Sequence, residues 1–162
     1  MSNSVLVVCT PYAPPVSFDV GVTSPGSGEG TYSGITAGKI ALSQSGKLQS
    51  ISIFWDGVGI TFLLGLYSDA SGQPGDLLAS STTATAAGGL NTLPISDGPT
   101  LAPGDYWLAV QNETGIAGYY DLPDGSAGAW NNGAEWTGTL PDTWPAASSG
   151  VILFSMYATF LT

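Results

Sequence analysis

GITFLLGLYSDASGQPGDLLASS, residues 59–81, combines an apolar alternation, a turn and a second apolar run. In an extended chain Ile60, Phe62, Leu64 and Leu66 fall on one face. Thr61, Gly65 and Tyr67 fall on the other, where Leu63 is the one aliphatic residue. A period of two with one apolar face predicts a half-buried strand. Residues 68–76, SDASGQPGD, are turn chemistry throughout, and Leu77 and Leu78 are expected to bring the chain back towards the core.

The same pattern extends in both directions. Residues 35–42 predict a strand with Gly38 as a candidate bulge, and 43–46 turn it into a strand over 47–55. Ile51, Ile53 and Trp55 share one face of that strand, and Asp56-Gly57 is a hairpin signal leading into the opening stretch. Downstream, 90–95 predict a short strand that Pro94 places at an edge or an end. Residues 106–111, YWLAVQ, are apolar on both faces and predict a central strand, and 151–161 close the domain. Between them, 112–150 are expected to contribute little core strand. No run of helical period occurs, so the expected fold class is all-β: an antiparallel β-sandwich of jelly-roll type with about eight or more strands.

Composition agrees. The 162 residues suffice for one domain, and 23 Gly and 11 Pro leave no room for long helices. The Gly-rich stretch 24–30 divides an N-terminal arm, 1–30, from a body, 31–162, that carries a long aromatic loop at 112–150. Residues 5–9, VLVVC, are a candidate strand in that arm, buried or paired with another chain. Lys39 and Lys47 are the only basic residues against twelve carboxylates, giving a formal charge of −10. Such a surface offers nothing to nucleic acid or to an anionic membrane, and no stretch is long enough for membrane insertion. Cys9 is the single cysteine, so neither an internal disulfide nor a cysteine metal cluster forms. No standard export leader is expected, because only residues 5–9 are apolar before Pro11, Pro14 and Pro15.

Several segments carry a resemblance. GKLQSI at 46–51, LGLYSD at 64–69, GQPG at 72–75 and GLNTL at 89–93 are the first of them. LAPGDYWLA at 101–109, LPDTWP at 140–145 and YATF at 157–160 complete the set. In this order the chain resembles bacterial and phage jelly-roll β-sandwich modules, similar in outline to carbohydrate-binding domains. The resemblance implies a non-catalytic module, carried on phage particles or appended to secreted proteins. The expectation is therefore a virion structural protein, a head-decoration or tail-associated module on the virion surface. Its partners would be capsid or tail proteins and further copies of itself in a homo-oligomer. The alternative is an extracellular carbohydrate-binding module of a bacterial surface or secreted protein, with a cell-surface glycan as partner.

Two sets of residues are candidate sites. Tyr119, Tyr120, Trp130, Asn131, Asn132, Glu135, Trp136 and Trp144 interleave aromatic rings with amides and a carboxylate. Sugars take that mixture, because a pyranose has an apolar C–H face ringed by hydroxyls. Structural or intersubunit packing of the same rings is the competing and favoured reading. Asp69, Ser71 and Asp76 are candidate calcium ligands, against Asx-turn capping by Asp69. Calcium is the one cofactor considered. With no histidine there is no Ser-His-Asp or Cys-His arrangement, and an acid pair such as Asp121 with Glu135 is a coincidence expected of an acidic chain, so no catalytic residue is assigned.

Overall fold

The computed structural model describes residues 14–121, 127–131, 134–146, 148–150 and 153–162. They form thirteen strands: β1 (Ser17–Gly21), β2 (Gly28–Leu42), β3 (Gly46–Trp55), β4 (Thr61–Asp69), β5 (Pro74–Ser80), β6 (Ala84–Thr85), β7 (Gly89–Pro94), β8 (Thr100–Leu101), β9 (Gly104–Asp121), β10 (Gly128–Asn131), β11 (Ser148–Gly150), β12 (Leu153–Phe154) and β13 (Met156–Leu161). Two antiparallel sheets of five and seven strands pack as a sandwich. In the smaller, β13 lies between β1 and β3, while β7 and β8 line the opposite edge of β3. The larger runs β11-β10-β2-β9-β4, with β5 and β6 on the outer edge of β4. The short β12 pairs with the end of β9, and a single bridge, Trp55 to Gly118, ties the sheets together there.

The core between the sheets follows from the alternations. Leu48, Ile51, Ile53 and Trp55 of β3 and Met156, Ala158 and Phe160 of β13 face Phe62, Leu64 and Leu66 of β4 and Leu108 and Val110 of β9. Each large apolar side chain removed from water contributes about 1.5–3 kcal/mol, so this layer is the main source of stability. As its apolar faces predict, β9 is the central strand, with β2 on one side and β4 on the other.

Four expectations need correction. Asp56-Gly57 does not close a hairpin: β3 and β4 lie in different sheets, and the connection crosses the sandwich. An alternation reports which way a face points and is silent about which strand pairs, so two strands facing the same core from opposite sides look like a hairpin. Secondly, β4 is buried on both faces, Phe62 to Tyr67 all being inaccessible. Thirdly, the ladder between β2 and β9 runs without interruption through Gly38, opposite Leu108, and its irregularity falls between Tyr32 and Gly34. Finally, 112–150 do supply core: β9 continues to Asp121, and Ala129 of β10 is fully buried.

The second burial of β4 has a clear origin. Ile35, Ala37, Leu63, Tyr67, Trp107, Ala109 and Ala129 form a separate core on the outer face of the larger sheet, roofed by Leu140 and by the half-buried Leu77, Ala134, Trp136 and Trp144. A bulge serves both cores. Leu66 pairs with Ala79 but Tyr67 with Leu77, so Leu78 is an extra residue, Ala79 faces the inner core and Leu77 the outer one.

Of the arm, 14–30 are described. Its β1 pairs along its whole length with β13 of the same chain, and the ladder is closed at one end by Thr162 N–H donating to Val16 O at 3.0 Å. Residues 5–9 lie outside the described residues.

Candidate functional site

Of the candidate residues, the outer face of the larger sheet carries Asp69, Trp136 and Trp144. On it, Lys39 of β2, Trp107 of β9 and Asp69 of β4 are close neighbours, as their registers require: Lys39 pairs with Trp107, and Trp107 with Tyr67. The Lys39 ammonium lies 3.2 Å from Asp69 Oδ1 and 2.7 Å from Asp105 Oδ2, and 5.9 Å from the Trp107 ring centre. Trp107 Nε1–H donates to Asp69 Oδ1 at 2.8 Å, and Gly72 N–H to Asp69 Oδ2 at 2.9 Å. Burial would push the Asp69 carboxyl up, but the Gly72 amide, the Trp107 indole and the Lys39 ammonium together hold it below the usual value. Lys39 is pushed up, first by its bond to Asp105, against a smaller opposing effect of burial.

The three calcium candidates have these surroundings. Asp69 is the Asx cap of the β4–β5 turn and shares its carboxylate with a lysine, which supplies the positive charge an ion would otherwise bring. Ser71 sits at φ 56° and Gly72 at φ 84°, between Ala70 and Gln73, whose backbones exchange hydrogen bonds of 2.7 and 3.3 Å. That is a type I′ hairpin turn, and Ser71 is in it for its backbone. Asp76 accepts from Thr143 Oγ1 at 3.2 Å. Among the described residues no group of three or more acidic, cysteine or histidine side chains is placed to hold a metal.

Residues 134–146 form a flap over this face. Leu77 N–H donates to Asp142 O at 2.8 Å, Trp144 N–H to Gly75 O at 2.9 Å, and Tyr67 Oη–H to Pro141 O at 2.8 Å. The Trp144 ring meets Tyr67 edge-on, centres 5.1 Å apart, a favoured aromatic geometry. Burial, aided by Asp142, pushes the Tyr67 phenol far up, so it stays a donor. Leu140 reaches the sheet at Gly65, where a Cβ would collide with Leu140 Cδ1. Gly65 is there for that close approach.

The glycan candidates divide accordingly. Trp136 and Trp144 pack on the outer core, while Glu135, just before Trp136, is exposed. Trp130 and Asn131 lie on β10 at the other side of the sheet. There the Trp130 ring lies against Gly150 of β11, with Cη2 2.7 Å from where a Cβ would be, and Asn131 Nδ2–H donates to Ala146 O at 2.8 Å. Asn132 and the side chains of Tyr119 and Tyr120 lie outside the described residues.

Between flap and sheet is a cleft of about 290 Å³ lined by Gln111, Ala134, Glu135, Thr137, Thr139, Leu140, Pro141 and Pro145. Gln111 is 1% exposed; its Nε2–H donates to Glu135 O at 3.0 Å, while its Oε1 has no donor among the described residues. Sequence reasoning took Gln111 for the end of a central strand and passed over Thr137 and Thr139. The available signal was a polar amide closing an otherwise apolar run, meaningful only once that face of the sheet is known to be covered.

No protein-family model, curated protein or solved structure matches the chain. The all-β sandwich and the geometry above are what define it.

Proposed function

We propose that the chain is a non-catalytic structural module displayed on the surface of a phage particle, as a head-decoration or tail-associated protein that self-associates. The observation that carries this reading is the use made of the aromatic segment. Trp136, Trp144, Leu140 and Pro141 are anchored on Tyr67 and Gly65 as a third layer of scaffold. Rings that lie on the sheet strengthen a display module and leave less aromatic surface for a substrate to stack on. The acidic, cation-poor surface and the resemblance to phage-borne sandwich modules support the same reading.

The arm is the element best placed to reach a neighbour. Pro15, near its first described residue, lines a second cleft of about 450 Å³ with Gly46, Lys47, Thr100, Leu161 and Thr162, next to the edge strand β1. Edge strands expose backbone groups that a partner strand can use. Because β1 belongs to the body, the informative truncation removes residues 1–13 alone. Light scattering on the full chain and on the truncated one tests the proposal: an oligomer that dissociates on truncation is expected, and a monomer in both forms would overturn the self-association it requires.

A further inference from the structure

We infer that the cleft over Gln111 is a binding site for a small, neutral, hydroxyl-rich molecule, of the size and chemistry of a single pyranose ring. The inference is independent of what the module assembles with, and it starts from one atom. Gln111 Oε1 is buried and lacks a donor among the described residues, although the other end of the same amide is bonded to Glu135 O. Turning the amide over would set two oxygens against each other at 3.0 Å, so the orientation is fixed. A buried carbonyl left without a donor is costly, and the cleft that Gln111 helps to line is the opening beside it.

The rest of the lining selects the ligand. Thr137 Oγ1–H donates to Thr139 O at 3.0 Å, and the two threonine hydroxyls lie 3.2 Å apart. With the exposed Glu135 carboxylate they make the polar part of the cleft rich in acceptors. The ligand must therefore bring several donors. An anion would meet Glu135 and a chain of formal charge −10 with no base in the lining, and is disfavoured. Ala134, Leu140, Pro141 and Pro145 supply apolar walls for C–H surface. The volume lies at the lower limit for small-molecule pockets, which admits one ring and excludes a long chain lying inside it. Among the described residues no aromatic side chain lines the cleft, so recognition here works by hydrogen bonding and shape, unlike the ring stacking expected of the tryptophans.

The test is an NMR titration of the full chain with the methyl glycosides of glucose, galactose and mannose, and with N-acetylglucosamine. The readouts are the Gln111 side-chain amide and the backbone signals of Ala134 and Thr139. Two variants accompany it: Gln111→Met, which removes the acceptor, and Thr137→Trp, which fills the cleft from an exposed position and does not disturb the core. At least one pyranoside should give saturable shifts at these three residues, weakened about tenfold or more by either variant. If Gln111→Met does not fold, Thr137→Trp alone decides. Absence of saturable shifts with all four sugars, or binding undiminished in Thr137→Trp, would overturn the inference and leave the carbonyl to a water molecule.

Discussion

Asp69 shows how one side chain can hold a turn, a strand face and an ion pair at once. Its depressed pKa fixes the sign of a pH effect. The unfolded chain takes up a proton at the ordinary carboxylate value and the folded chain only below it, so the contribution is present above that value and is lost as pH falls through the folded pKa. Lys39 contributes in the opposite sense, fully below the usual lysine value and fading as pH rises through its own raised pKa. Denaturation of wild type and Asp69→Asn at several pH values should show the variant less stable at neutrality, with the gap closing below the carboxylate range. A gap independent of pH would mean that the ion pair and caps are not what Asp69 supplies. At the neighbouring turn, Ser71 occupies a left-handed conformation that Asn tolerates better. Ser71→Asn should raise stability by about 0.5 kcal/mol, read from the urea midpoint. Asp69 was legible in the sequence as an Asx cap, because capping is local. Its bonds to Lys39 and Trp107 were not, because they join strands thirty or more residues apart.

Among the elements, β4 and the flap are coupled through a missing side chain. Gly65→Ala would push a methyl into Leu140, and Leu140→Ala would open a void of its own. Each single change should cost about 1–3 kcal/mol, and the double variant less than their sum, since truncating the Leu140 side chain makes room for the methyl added at Gly65. Additive costs in a denaturation cycle would show that the flap does not rest on Gly65. The strands themselves were readable, β4, β7, β9 and β13 among them, because alternation, Pro94 and the turn residues act over short distances. Pairing was not: Ile53 and Trp55 of β3 and Phe62 and Leu64 of β4 show matching apolar faces whether the strands are neighbours or opposed across the core. The bulge at Leu78 was hidden for a related reason, since Leu77-Leu78 reads as one apolar pair although Leu78 is 37% exposed.

For the molecule as a whole, the sandwich was foreseeable from glycine, proline and the period of two, but the third layer was not. Residues 134–140 alternate, with Ala134, Trp136 and Leu140 inward and Glu135, Thr137 and Thr139 exposed, but the groups they are buried against, Tyr67, Trp107 and Gly65, belong to other strands. The central claim is that this aromatic segment is scaffold, fixed to the sheet. Hydrogen exchange at the Leu77 and Trp144 amides tests it most directly, since these donate across the junction to Asp142 and Gly75. The structure predicts protection approaching that of Leu108 and Val110 in the central strand, because opening either amide requires lifting Trp144 and Leu140 from the core. Exchange at the rate of an open surface loop, with β9 still protected, would contradict it.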